Sequence, residues 1–162
     1  MLSYSIMLPP KRPVRKIQDH SPPFWVEDNA VFFLTINCKN RRTNQLACDK
    51  SAEGIIDGWK FYREQGRCVP EIVMVMPDHI HLLISFDWNE GNSMGKIVES
   101  CKRFTARKHA IQWQNGFFDH RIRNEEDLQQ KWDYIINNPF NAGLVKASKD
   151  WPYIWINTNI DP

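Results

Sequence analysis

At 162 residues and 19.2 kDa the chain can build one domain with a real core and is short for two. Charged residues at 25% and hydrophobic residues at 42% exclude a disordered or fibrous chain, and no apolar run reaches the length of a membrane span. The net charge of +2 hides clustering: residues 96–123 carry seven basic and two acidic side chains, between 51–95 with three and seven and 124–162 with three and six. Such blocks steer an anionic partner more than the total does, although solvated helix faces give the same pattern.

Residues 1–28 are rich in proline and basic side chains and read as an extended arm ahead of a single domain over 29–162. Val31-Phe32-Phe33-Leu34-Thr35-Ile36 is β-branched and aromatic, a buried strand followed by a polar, basic turn. Over 49–65, Ala52, Ile55, Ile56, Trp59 and Tyr62 recur at helical spacing, with Gly66 as the stop. Residues 71–76 and 79–86 read as two strands joined at Pro77-Asp78, a hairpin.

Gly91-Asn92-Ser93 opens a second helix with Ile97, Cys101 and Phe104 inward and Lys96, Ser100, Arg103 and Arg107 as a stripe on the other side. Residues 117–123 suggest a short strand. A last helix starts at Asn124, carries Glu125, Glu126 and Asp127 in its first turn, and stops at Asn138-Pro139. The order is that of a ferredoxin-like α+β domain, β-α-β-β-α-β with an antiparallel sheet, plus an added C-terminal helix.

Cys38, Cys48, Cys68 and Cys101 are far apart and form no C-x-x-C pair, which argues against a zinc ribbon, a thioredoxin-like site or a disulfide scaffold. The first ten residues lack the basic start and cleavage site of a secretory signal, so the expected location is the cytoplasm.

Two pairs carry chemistry. His79 and His81 alternate along a strand, so both imidazoles leave one face while Ile80, Leu82, Ile84 and Phe86 leave the other. That suits a two-histidine metal clamp; two satisfied or surface histidines would read the same. Tyr134 and Asn138 stand four apart on the last helix and share a face beside its core strip of Leu128, Trp132 and Ile135. A tyrosine there suits a nucleophile and Asn138 an oxygen ligand, while a boundary tyrosine and a helix-terminal asparagine are the plainer alternative. His109 and His120 read as solvent-facing or satisfied.

Pro77-Asp78-His79-Ile80-His81-Leu82-Leu83 resembles the HUH motif of single-tyrosine transposases, and 134–145 (YIINNPFNAGLV) resembles their catalytic-helix signature. The nearer likeness is to the REP-associated tyrosine transposases, through 117–127 (FFDHRIRNEED) and Trp151-Pro152-Tyr153. The resemblance runs from about Ala30 to Trp155. It implies His79, His81 and Asn138 as ligands of Mg2+ or Mn2+ and Tyr134 as nucleophile. The implied activity is cleavage of single-stranded DNA beside imperfect hairpins through a 5′-phosphotyrosine, with rejoining, by a bacterial, nucleoid-associated protein. That branch is generally monomeric; the insertion-sequence branch forms dimers that can place the tyrosine helix in trans.

Under that reading Lys39, Arg41, Arg42, Lys102, Arg103, Arg107, Lys108, Arg121 and Arg123 are the expected phosphate contacts. Phe140 stands where the family often has valine, and Ile154 and Trp155 replace small polar residues. An inactive hairpin DNA- or RNA-binding protein on the same scaffold is the competing reading. Two-histidine phosphoesterases and histidine-triad hydrolases fit poorly, since only one H-x-H exists and position 83 is Leu83.

Overall fold

The computed structural model describes residues 30–87 and 93–158; the proposed arm and the Gly91-Asn92 start of the second helix lie outside them. The elements run β1 (Val31–Asn37), α1 (Asp49–Glu64), β2 (Cys68–Val75), β3 (His79–Phe86), α2 (Met94–His109), β4 (Phe118–Arg121), α3 (Glu125–Asn141), a short 3-10 turn (Ser148–Asp150) and β5 (Ile154–Ile156).

One antiparallel sheet is ordered β4-β1-β3-β2-β5, so the first four strands form the expected ferredoxin-like sheet. The strand β5 is an addition to that pattern. Its three residues are too short for a periodic signal, and it forms because Trp151-Pro152-Tyr153 docks the tail on β2. Trp151 Nε1 donates to the Val75 carbonyl at 3.0 Å, and Val75 N–H donates to the Tyr153 carbonyl at 2.9 Å.

Because side chains alternate across a strand, the sheet carries two separate cores. Phe32, Leu34, Ile36, Ile80, Leu82, Ile84 and Phe86 pack under α1 and α2, with Trp59 wholly buried. Phe33, Met74, Met76 and Leu83 face the other way, against Ile135 and Trp151, with Leu128 and Trp132 partly buried beside them. Thus α3 covers the face opposite the α1/α2 layer.

Helix ends follow local chemistry. Gly66 adopts φ 66° just beyond α1, a left-handed conformation that costs glycine little. Ser93 Oγ accepts from Lys96 N–H and caps α2, and Asn124 Oδ1 accepts from Asp127 N–H at 2.8 Å to cap α3. Two expectations need correction. The helix α3 does not stop at Asn138: it runs on to Asn141 with Pro139 inside. Pro139 sits so near the C-terminus that its missing N–H removes one bond, while Ala142 N–H still reaches the Asn138 carbonyl at 2.9 Å. Phe104 is not inward but 47% exposed, since the buried face of α2 comprises Met94, Ile97, Val98, Cys101, Lys102 and Thr105 and leaves position 104 at its border.

The four cysteines are free thiols, with Cys48 exposed and the others buried. No helix among the described residues is long and apolar enough to cross a membrane.

Ile135 pins α3 to the sheet. Ile135→Ala is expected to cost about 3 kcal/mol in urea unfolding, the usual range for a buried aliphatic truncation, whereas Phe104→Ala changes stability by no more than about 0.5 kcal/mol, as exposed positions do.

Candidate functional site

His79 and His81 leave β3 on the α3 side, and Tyr134 and Asn138 leave α3 toward them. All four line one open cleft of about 480 Å³ together with Phe33, Thr35, Asn37, Arg41, Phe118 and Lys131. The imidazole centroids of His79 and His81 are 4.7 Å apart, and the Tyr134 ring lies 5.3 Å from His81. The Asn138 carboxamide approaches His81 Nε2 at 3.4 Å through its nitrogen; a half-turn of the amide presents Oδ1 there instead. Phe33 forms the floor, stacked on His81 at 5.3 Å and edge-on to Tyr134 at 5.9 Å.

Each imidazole is held by its Nδ1. His79 Nδ1 is 2.7 Å from Asp78 Oδ1, and His81 Nδ1 is 2.9 Å from Thr35 Oγ1, its register partner on β1. With the protons on Nδ1, both Nε2 atoms keep a lone pair, that of His81 facing the Asn138 amide, the usual preparation of metal-binding histidines. Burial, reinforced by neighbouring His79 and Arg41, lowers the His81 pKa to about 3. Burial also lowers that of His79, against the opposing pull of Asp78. Both rings are therefore neutral at pH 7.

Asp78, which sequence reasoning reads only as part of a turn, organises this end of the cleft. Its Oδ2 accepts Arg42 N–H at 2.6 Å and lies 3.3 Å from Arg41 Nε, while its carbonyl accepts Cys38 N–H at 2.8 Å. Burial raises its pKa, but the His79 bond, the Arg42 N–H and the Arg41 charge together bring it below the ordinary carboxylate value. Arg42 holds φ 63°, and this left-handed turn aims its amide at Asp78. Arg41 Nη1 also bonds Asn37 Oδ1.

Among the described residues no three His, Cys, Asp or Glu side chains converge. A cation here would take two imidazole nitrogens and the Asn138 amide oxygen. That donor set suits a divalent ion with open positions.

His120 is satisfied, as expected. It faces α3 from β4, in register with Phe33, and its Nε2 is 3.0 Å from Asp127 Oδ2. That hydrogen bond, foremost, lowers the Asp127 pKa. Asp127 also accepts Arg123 N–H at 3.1 Å, so the carboxylate ties the α3 start to the β4 exit rather than closing a capping box on Asn124. His109 is neither solvent-facing nor satisfied: its ring packs over Gly54, where a Cβ would lie 1.9 Å from Nε2, and both ring nitrogens are buried without a hydrogen-bond partner.

The basic residues do not converge. Of the nine, only Arg41 lines the cleft. Arg103, Arg107 and Lys108 are exposed on α2, on the other side of the sheet, and Arg121 pairs with Phe32 on that same side. Lys102 is buried, with its ammonium 2.6 Å from Glu99 Oε1 and 3.2 Å from the Gly116 carbonyl, which removes it from any exposed stripe. Lys39, Arg42 and Arg123 are exposed in the connections between elements. Lys131, not singled out in the sequence, lies in the cleft; its position three before Tyr134 is the signal that points to it.

No protein-family model matches the chain. A candidate REP-associated tyrosine transposase of Haemophilus influenzae is 33% identical over 96 residues, 50% of this chain and 54% of that protein. The match thus spans about half the length of that relative. The REP-associated tyrosine transposase of Escherichia coli K12 is 32% identical over 129 residues, 76% of this chain and 74% of that one. The solved structure of a REP-associated tyrosine transposase bound to a REP hairpin superposes with a TM-score of 0.65 at 25% identity, covering 85% of this chain and 82% of that one. With identity of this level across about three-quarters of both the present chain and its Escherichia coli relative, and with the fold shared, the chain belongs to the REP-associated tyrosine transposase family.

Proposed function

We propose that the cleft nicks and rejoins single-stranded DNA beside an imperfect hairpin, with Tyr134 as the nucleophile. The observation that carries this reading is the meeting of two strand histidines with a tyrosine and an asparagine from a helix on the same chain, Asn138 within 3.4 Å of His81 and Tyr134 against it. The family gives the reading its context: the Escherichia coli relative is named a transposase, and the solved relative is bound to a REP hairpin.

His79 Nε2, His81 Nε2 and Asn138 Oδ1 would hold Mg2+ or Mn2+. When bound, such an ion neutralises phosphate charge and polarises the phosphorus toward attack. Tyr134 supplies the bond-making atom. Its Oη forms a bond to phosphorus as its proton leaves to solvent, the P–O3′ bond breaks, and the released 3′-oxygen takes up a proton. The product is a 5′-phosphotyrosine and a free 3′-hydroxyl, and attack by a 3′-hydroxyl on that phosphotyrosine rejoins the strand. Half-exposed Tyr134, at 48%, can meet a substrate without any opening of the core. Since Tyr134 reaches the histidines of its own chain, a monomer in the bacterial cytoplasm suffices for this chemistry.

The α2 stripe is a separate cationic surface, on the far side of the sheet from the chemistry. It would draw in phosphates without touching the reacting ones.

Incubation with hairpin-bearing single-stranded DNA and Mn2+ or Mg2+ is expected to give a covalent adduct on a denaturing gel. The adduct disappears with EDTA and in Tyr134→Phe; a Tyr134→Phe protein that still cleaves contradicts the assignment.

Arg103→Ala with Arg107→Ala is expected to weaken DNA binding and flatten its salt dependence by about 0.7 in log–log slope for each phosphate no longer neutralised. Single-turnover cleavage at saturating protein should stay unchanged.

His81 takes up a proton on unfolding wherever the pH lies between its folded value, about 3, and its ordinary 6.5. The unfolded chain then binds more protons, so stability is full above pH 6.5 and falls as the pH drops toward 3. Urea midpoints measured across that range for metal-free protein should show a shallower acid loss in His81→Gln than in the wild type.

A further inference from the structure

Lys131, Tyr134 and Asn138 follow one another at spacings of three and four along α3 and share the face turned to the cleft. Asn138, with His81 Nε2 3.4 Å away, lies on the C-terminal side of Tyr134. The N-terminal side is occupied by Lys131, whose Nζ sits 5.3 Å from the centroid of the Phe33 ring. Phe33 is the buried floor that also contacts Tyr134 and His81, so one ring positions the tyrosine, a histidine and the ammonium together.

The two cations of the cleft differ in what they are already doing. Arg41 is committed to Asp78 and Asn37, a contact that shapes the loop. The Lys131 ammonium makes no hydrogen bond or ion pair among the described residues. Asp127, the acidic group one turn back on α3, is bonded to His120 and to the Arg123 amide, and the Lys131 charge acts on it only as the last of several influences, without an ion pair. Lys131 therefore keeps its N–H donors for a ligand, while an aromatic face limits where the head can go.

We propose that Lys131 engages the phosphodiester that Tyr134 attacks, as the protein's own cation on the side of the tyrosine away from the metal donors. The inference rests on the nicking reading for its substrate and goes beyond it in assigning a substrate-binding residue outside the HUH and tyrosine motifs. A point charge suits the role, because an ammonium follows the phosphate oxygens as bonds form and break without demanding one planar geometry. A lysine that merely covers Phe33 would serve equally well as methionine.

The test compares Lys131→Met and Lys131→Arg in the full chain, with binding read in a Tyr134→Phe background so that cleavage does not interfere. Lys131→Met should lower the salt slope of hairpin single-strand binding by about 0.7, the value for one single-strand phosphate. It should also slow single-turnover adduct formation with Mn2+ about a hundredfold, as loss of one transition-state donor does. Lys131→Arg should restore most of both. With methylphosphonate placed singly at each phosphate around the cleavage point, the binding penalty of Lys131→Met should vanish only when the attacked phosphate is the neutral one. Unchanged slope and rate in Lys131→Met overturn the proposal. So does a rate reduced equally in Met and Arg with the slope intact, which marks a packing role. A wild-type protein that forms no adduct, alongside a Lys131→Met slope that still falls, keeps the phosphate contact and removes the nicking reading instead.

Discussion

The pleat of β3 sets everything else. It is the central strand, bonded to β1 on one side and β2 on the other, and each of its faces is covered by a different helical layer. Every second side chain must then be apolar to fill the α1/α2 core, and Ile80, Leu82, Ile84 and Phe86 are. The alternate positions His79 and His81 necessarily face α3. Burying two imidazoles there is unfavourable unless their polar atoms are satisfied, and Asp78 and Thr35 satisfy one nitrogen of each. What remains is a pair of neutral rings whose Nε2 atoms face the cleft, that of His81 against the Asn138 amide, beside a helix that carries a tyrosine and an asparagine at matching spacing.

The same pleat explains which parts were legible in the sequence. Strand alternation and helical spacing are local, so the shared face of His79 and His81, the shared face of Tyr134 and Asn138, and the four-strand topology followed from the residues. Features that depend on distant partners did not. Asp78 looks like a turn residue until the 37–44 loop folds back on it. Thr35 acquires a role through its register with His81, and β5 exists only because the Trp151 indole and the Tyr153 backbone find β2. Pro139 reads as a helix stop by local rules. Its place near the end, above the Ile135 contact with the second core, lets α3 continue and keeps Asn138 helical.

Charge was the least legible property. A net charge of +2 arranged in blocks suggests a basic rim around one site, whereas the fold spreads those blocks over both faces of the sheet. Lys102 turns inward to Glu99, and the α2 arginines face away from the cleft, where Arg41 and Lys131 supply the positive charge. Helical position relative to the core, not proximity in sequence, decides which cations share a site.

In the proposed chemistry, β3 and α3 of one chain together build a single divalent-ion site next to Tyr134. Electron spin-echo modulation of the Mn2+-loaded protein tests this most directly, because it counts nitrogens bound to the ion. Coupling to two imidazole nitrogens is expected, reduced to one in His79→Ala and to one in His81→Ala. A spectrum with no coupled imidazole, or one unchanged by either substitution, would contradict the site.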